Sequence, residues 1–140
     1  GTVDRRRRYG DPLAARLAEH PAVSEAVVCG YPQTRRVEGL YAFVVASAPI
    51  DPAELVAWAA EGLGQPGTPD HLQLVERLPK AADGTVRLDI LDLVARNLVG
   101  EIPARIGSDP ALESVVAPIV AGRRNFTDRF NRTAEPPKPT

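Results

Sequence analysis

Apolar residues recur along this chain in two rhythms, and the change from one to the other marks out helices and strands. Leu13, Leu17 and the alanines between them repeat at three- and four-residue spacing behind Asp11-Pro12. A capping residue followed by proline suits the start of a helix, which is expected to run from Asp11 to about His20. Two β-branched apolar stretches follow, Val23 to Cys29 and Leu40 to Ala46, joined by a polar, arginine-containing loop. They read as neighbouring strands, paired antiparallel. Asp51-Pro52 repeats the cap-and-proline device, and Leu55, Val56, Trp58, Ala59 and Leu63 give a second helix its apolar face before Gly64 and Gly67 break it. Trp58 therefore reads as a core residue.

A third strand is expected from His71 to Leu78, with Leu72, Leu74 and Glu76 on one side and Gln73 and Val75 on the other. The turn Ala82-Asp83-Gly84 comes next, then a third helix through Leu88, Leu91, Val94, Ala95 and Leu98. This order gives an α+β fold: a small three-stranded sheet with two to three packed helices, its core closing by about residue 98. Residues 99–131 read as a helical extension, in which Asp109-Pro110 caps a helix through Leu112, Val115, Val116, Ile119 and Val120. That apolar stripe needs a partner surface. Residues 1–10, with the run Arg5 to Arg8, read as a basic flexible arm, and the proline-rich residues 132–140 as a disordered tail.

Composition narrows the function classes. The 140 residues are 44% hydrophobic and 25% charged, ordinary globular usage for one domain with a tail. A net charge of -1 leaves no electrostatic footprint for nucleic acid or an anionic membrane. The absence of a long apolar run argues against a membrane span, and a cytoplasmic location is expected. The single cysteine, Cys29, lies in an apolar run and reads as a small buried hydrophobe. His20 and His71 are too few for a metal site, so no metal is expected. Ser24, Ser47, Ser108 and Ser114 stand in no Gly-x-Ser-x-Gly turn, and the glycines at 62, 64 and 67 lack the Lys-Ser/Thr ending of a phosphate loop.

Three stretches in order carry a resemblance. The first is His20-Pro21-Ala22-Val23 through Gly30-Tyr31-Pro32, the second Gly39 to Val45, and the third Leu78-Pro79-Lys80-Ala81-Ala82-Asp83-Gly84-Thr85-Val86-Arg87. Together, over about residues 11–95, they resemble the C-terminal subdomain of the adenylate-forming superfamily: acyl- and aryl-CoA ligases, peptide-synthetase adenylation domains and luciferases. The third is similar to that family's closing motif, Leu-Pro-Lys-x-x-x-Gly-Lys-x-x-Arg in simplified form, and matches from Leu78 to Gly84 without a gap.

The resemblance implies a lid on a larger enzyme that joins a carboxylate to ATP as an acyl adenylate and then passes the acyl group to a thiol. A lysine on the closing motif would stabilise charge at the reacting phosphate and carboxylate oxygens. Thr85 occupies that position, and with no cation and a short reach it should not support adenylation. Lys80 lies across the turn and is not a ready substitute. No catalytic residue is assigned; Gly84, Lys80 and Arg87 are the candidate substrate-binding residues. Two further departures are Pro66-Gly67-Thr68-Pro69, where the family often has aromatic-Lys-x-Pro, and the family's hinge hairpin, expected to be missing, cut away or altered, with Gly10 as a candidate remnant. The resemblance implies ATP with magnesium and CoA or phosphopantetheine for a complete enzyme, and no cofactor for this chain alone. The implied partners are a large N-terminal adenylating domain, in cis or in trans, and a carrier protein. The alternative is a non-catalytic interaction module, docking on a synthetase or carrier protein through the helix near residues 109–120 or through Phe126 and Phe130.

Overall fold

A computed structural model of the chain describes residues 12–32, 38–64 and 68–123. The basic arm, Gly10, the Phe126/Phe130 pair and the proline-rich tail expected from the sequence lie outside the described residues.

Helix α1 occupies residues 12–18 and buries Leu13 and Leu17. Strands β1 (Val23–Pro32) and β2 (Glu38–Ala46) pair antiparallel, with one irregularity between Val23 and Glu25. Helix α2 (Pro52–Leu63) starts where Asp51 accepts a 2.9 Å hydrogen bond from the Ala53 N–H, and it is followed by Gly64 at φ 79°. Strand β3 (His71–Val75) lies parallel to β2, so the sheet order is β1-β2-β3. Parallel neighbours need a crossover, and α2 supplies it. Helix α3 (Leu88–Ala95), a 3₁₀ turn (Val99–Glu101), helix α4 (Ile102–Ile106) and helix α5 (Pro110–Ala121) complete the described chain.

The sheet is covered on both faces, which explains why β2 reads as an unbroken apolar run. Leu40, Ala42 and Val44 point to one side, where they pack with Leu13 and Leu17 of α1 and Leu55 and Ala59 of α2. Tyr41 and Phe43 point to the other, among Ile90, Leu91 and Val94 of α3, Ile102 of α4, and Leu112, Val116 and Ile119 of α5. The helical segment beyond residue 98 therefore contributes to the main core, and the partner surface for the α5 stripe is the domain's own sheet. Trp58 of α2, expected in the core, is only half-buried: the Arg16 guanidinium of α1 lies 3.8 Å from its ring centroid, and the His20 ring meets it edge-on at 4.8 Å.

Two expectations need correction. The third helix stops at Ala95 and does not reach Leu98, because Asn97 takes a left-handed conformation (φ 60°) and turns the chain; Leu98 is 43% exposed. The third strand ends at Val75, three residues early, as the chain leaves the sheet toward the closing motif.

Gln73 is polar yet only 7% exposed, since α5 covers its face of β3. It is satisfied on both ends: its Oε1 accepts from the Tyr41 hydroxyl at 2.6 Å and its Nε2 donates to the Ile119 carbonyl at 2.9 Å. Buried polar groups placed this way fix one arrangement of α5 on the sheet, because any slippage would leave them unpaired.

Candidate functional site

The closing-motif segment forms a small hairpin. Lys80 and Val86 make an antiparallel bridge, the Ala81 N–H donates to the Thr85 carbonyl at 2.7 Å, and the Arg87 N–H donates to the Pro79 carbonyl at 2.8 Å. At the tip the Gly84 N–H donates to the Ala81 carbonyl at 2.9 Å. Gly84 adopts φ +92°, a conformation that side-chain-bearing residues rarely take, and open space surrounds its Cα hydrogens. Glycine is thus required by the turn itself, whatever binds there.

Side chains at the tip are arranged by Asp83. Its Oδ1 accepts from both the Thr85 N–H (3.0 Å) and the Thr85 hydroxyl (2.7 Å), an Asx-type turn that points the threonine back at the carboxylate. These two hydrogen bonds, the one from the hydroxyl foremost, hold the exposed Asp83 carboxyl below the ordinary aspartate value. Sequence reasoning treated Asp83 only as a turn residue. The signal was present in the Asp-Gly-Thr spacing, since an aspartate two residues before a hydroxyl residue can bond both its amide and its side chain.

The two cations of the hairpin, Lys80 and Arg87, are engaged with carboxylates. Lys80 reaches across to β1 and donates to Glu25 Oε2 at 2.8 Å, a contact between residues 55 apart that no local pattern announces. Arg87 forks onto Asp89 through Nε and Nη2, both at 2.9 Å, and Nη2 also donates to the Arg105 carbonyl at 3.3 Å. Arg105 Nη1 lies 3.4 Å from the same Asp89. Arg87 is therefore a strut between the hairpin and α4. Counted strictly, the closing pattern places its arginine at Leu88, one residue later, and Leu88 is 55% exposed. Of the four residues singled out from sequence, Gly84 and Thr85 share the tip, while Lys80 and Arg87 are turned away onto carboxylates.

The fit to a polyphosphate can be judged from these side chains. A phosphate chain calls for cations or convergent N–H donors. The tip offers an ionised carboxylate and a neutral hydroxyl already directed at it, so its residues do not fit ATP phosphates. Among the described residues, no group of three or more His, Cys, Asp or Glu could hold a metal ion, and no helix is long and apolar enough to cross a membrane.

The Arg87–Asp89 fork makes a pH prediction. The Asp89 carboxyl is held below its ordinary 3.8, first by the hydrogen bonds from Arg87, which outweigh the opposing effect of burial, with the charge of Arg87 adding a lesser contribution. A carboxyl with a depressed folded-state pKa contributes stability that is fully present above the unfolded value and is lost as pH falls through the folded one. Urea midpoints measured down a pH series should therefore fall less below 3.8 in Asp89→Asn than in the parent chain. Equal acid sensitivity in both would show that the fork does not matter to folding.

Comparison with known proteins places this geometry in context. The family model described as the AMP-binding enzyme C-terminal domain matches residues 13–85, just over half of the chain. Over 120 residues the chain is 34% identical to an acetyl-coenzyme A synthetase of Bradyrhizobium sp. (strain ORS 278), covering 81% of this chain and 18% of that protein. Among solved structures it resembles ATP-bound MatB from Rhodopseudomonas palustris (TM-score 0.59, 26% identity, 65% of this chain and 18% of the other). It also resembles the amide bond synthetase McbA from Marinactinospora thermotolerans (TM-score 0.55, 29% identity, 59% and 17%). The chain thus spans less than a fifth of the length of these relatives.

Proposed function

The chain belongs to the AMP-binding enzyme C-terminal domain family, and from that premise we propose that it is the lid domain of an acyl-CoA synthetase-like enzyme, unable to drive adenylation by itself. The observation that carries the reading is the hairpin tip. Where the closing motif calls for a lysine, Thr85 stands with its hydroxyl bound to Asp83. Electrostatic stabilisation of an adenylation transition state needs positive charge at that spot, and a hydroxyl of this reach does not supply it.

On this reading the large N-terminal adenylating domain is the partner, joined to this chain or met in trans. It would bring ATP and magnesium, and the acyl group would pass to CoA or to the phosphopantetheine of a carrier protein. A cytoplasmic location belongs to the same proposal. The lid can still assist the thiol-transfer step, which does not depend on the closing lysine. The reading of the chain as a pure docking module draws no support from α5, whose apolar side is already spent on the domain's own core through Leu112, Val116 and Ile119.

The test is ATP–pyrophosphate exchange. The 140-residue chain alone, offered a panel of short and aromatic acids, should show no exchange above background. Turnover by the chain alone would overturn the lid reading.

A further inference from the structure

The lid reading explains inactivity by what position 85 lacks; the tip geometry adds something that position 83 supplies. We infer that Asp83 is a second determinant of this lid's specificity: its carboxylate turns the tip against polyphosphates and would neutralise a lysine placed two residues further on. This rests on the lid reading only for the ligand class at the tip.

Lys80, the one lysine of the hairpin, is drawn to Glu25, and Arg87 is forked onto Asp89. The charge left at the turn is that of Asp83, on an exposed residue with its Oδ1 committed to residue 85. An anionic tip approaching a polyphosphate meets like charge, which weakens association in proportion to the charges brought together. Introducing lysine at 85 would remove the Thr85 hydroxyl from Asp83 while leaving the residue-85 N–H bonded to it. The new ammonium would then sit beside an ionised carboxylate two residues away and pair with it. The tip would become neutral rather than cationic, and the lysine would be held back from any ligand. The two positions act on one quantity, the net charge presented by the turn.

The test uses the whole 140-residue chain and inorganic pyrophosphate, followed by NMR at the amides of residues 84 and 85, which separates tip binding from binding at other basic residues. Four forms are compared: parent, Asp83→Asn, Thr85→Lys, and the double variant. Asparagine keeps an Oδ1 that accepts the same hydrogen bonds, so the turn is preserved while the charge is removed. Asp83→Ser, a second neutral acceptor, gives the same comparison if asparagine disturbs the turn. The double variant should bind pyrophosphate roughly two- to fivefold more tightly than Thr85→Lys, the scale of an exposed ion pair released. Equal affinities for the single and double variants, whether both bind or neither does, would overturn the role given to Asp83. That failure would leave the lid reading standing, since exchange by the isolated chain is tested separately.

Discussion

Replacing Phe43 by alanine should destabilise this domain by about 3–5 kcal/mol, the range for removing a fully buried aromatic side chain from a core that cannot collapse to fill the space. Phe43 is at the centre of the molecule. It is 0% exposed, in the middle strand, opposite Val27 on β1 and Gln73 on β3, and its ring stacks on Tyr41 with centroids 4.7 Å apart. Helices α3, α4 and α5 all meet the cluster it anchors, so the cavity would be felt by every element on that face. Domains of this size are stable by only about 5–15 kcal/mol, and the loss should be plain in a urea midpoint with an unchanged denaturant slope. Leu98→Ala, at a site 43% exposed, serves as the control and should move the midpoint little. A Phe43 effect as small as that of Leu98 would mean that the sheet and the C-terminal helices do not share a core.

The second large effect concerns chemistry. Joined to or mixed with a competent large adenylating domain, Asp83→Asn with Thr85→Lys should raise adenylation about a hundredfold over the parent chain, the order of effect associated with one well-placed charge-stabilising group. Thr85→Lys alone should fall clearly short of the pair, because its ammonium would face the Asp83 carboxylate. Initial rates of ATP–pyrophosphate exchange with the acid and ATP saturating make the comparison. An equal rate for parent and double variant, beside a domain proven active with another lid, would contradict the account of the tip.

How much of this was legible in the sequence follows from which forces are local. Asp51-Pro52 and Asp109-Pro110 announced α2 and α5 because a cap and a proline act within one helical turn, and both aspartates make the hydrogen bond expected of them. The strands of the first pair were legible as β-branched runs, and their antiparallel pairing follows from a short connection. The hairpin of the closing motif was legible through Gly84, whose left-handed backbone a turn of this kind demands.

What escaped is what depends on contacts between distant residues. The alternation placed Gln73 on a face with Val75 and no more, and its burial depends on α5, whose Ile119 carbonyl it meets 46 residues away. The partners of Lys80 and Arg105 likewise become visible only once β1 and α4 are placed. The extension beyond residue 98 looked separate because its short helix α4 has too few turns to show a periodicity, although Ile102 is buried in the common core. At the candidate site the place of Thr85 in the closing motif could be read from the sequence, and the Asp83–Thr85 bond was implicit in the Asp-Gly-Thr spacing, whereas the turning of Lys80 onto Glu25 required the geometry.

A lid of a larger adenylating enzyme must be found with that enzyme's large domain. The most direct test is to tag the chain in its native producer, purify it under gentle conditions, and identify everything that comes with it. The account predicts a large adenylating domain in the purified material, on the same polypeptide or as a separate protein. Recovery of the chain alone, or with partners that contain no adenylating domain, would contradict it.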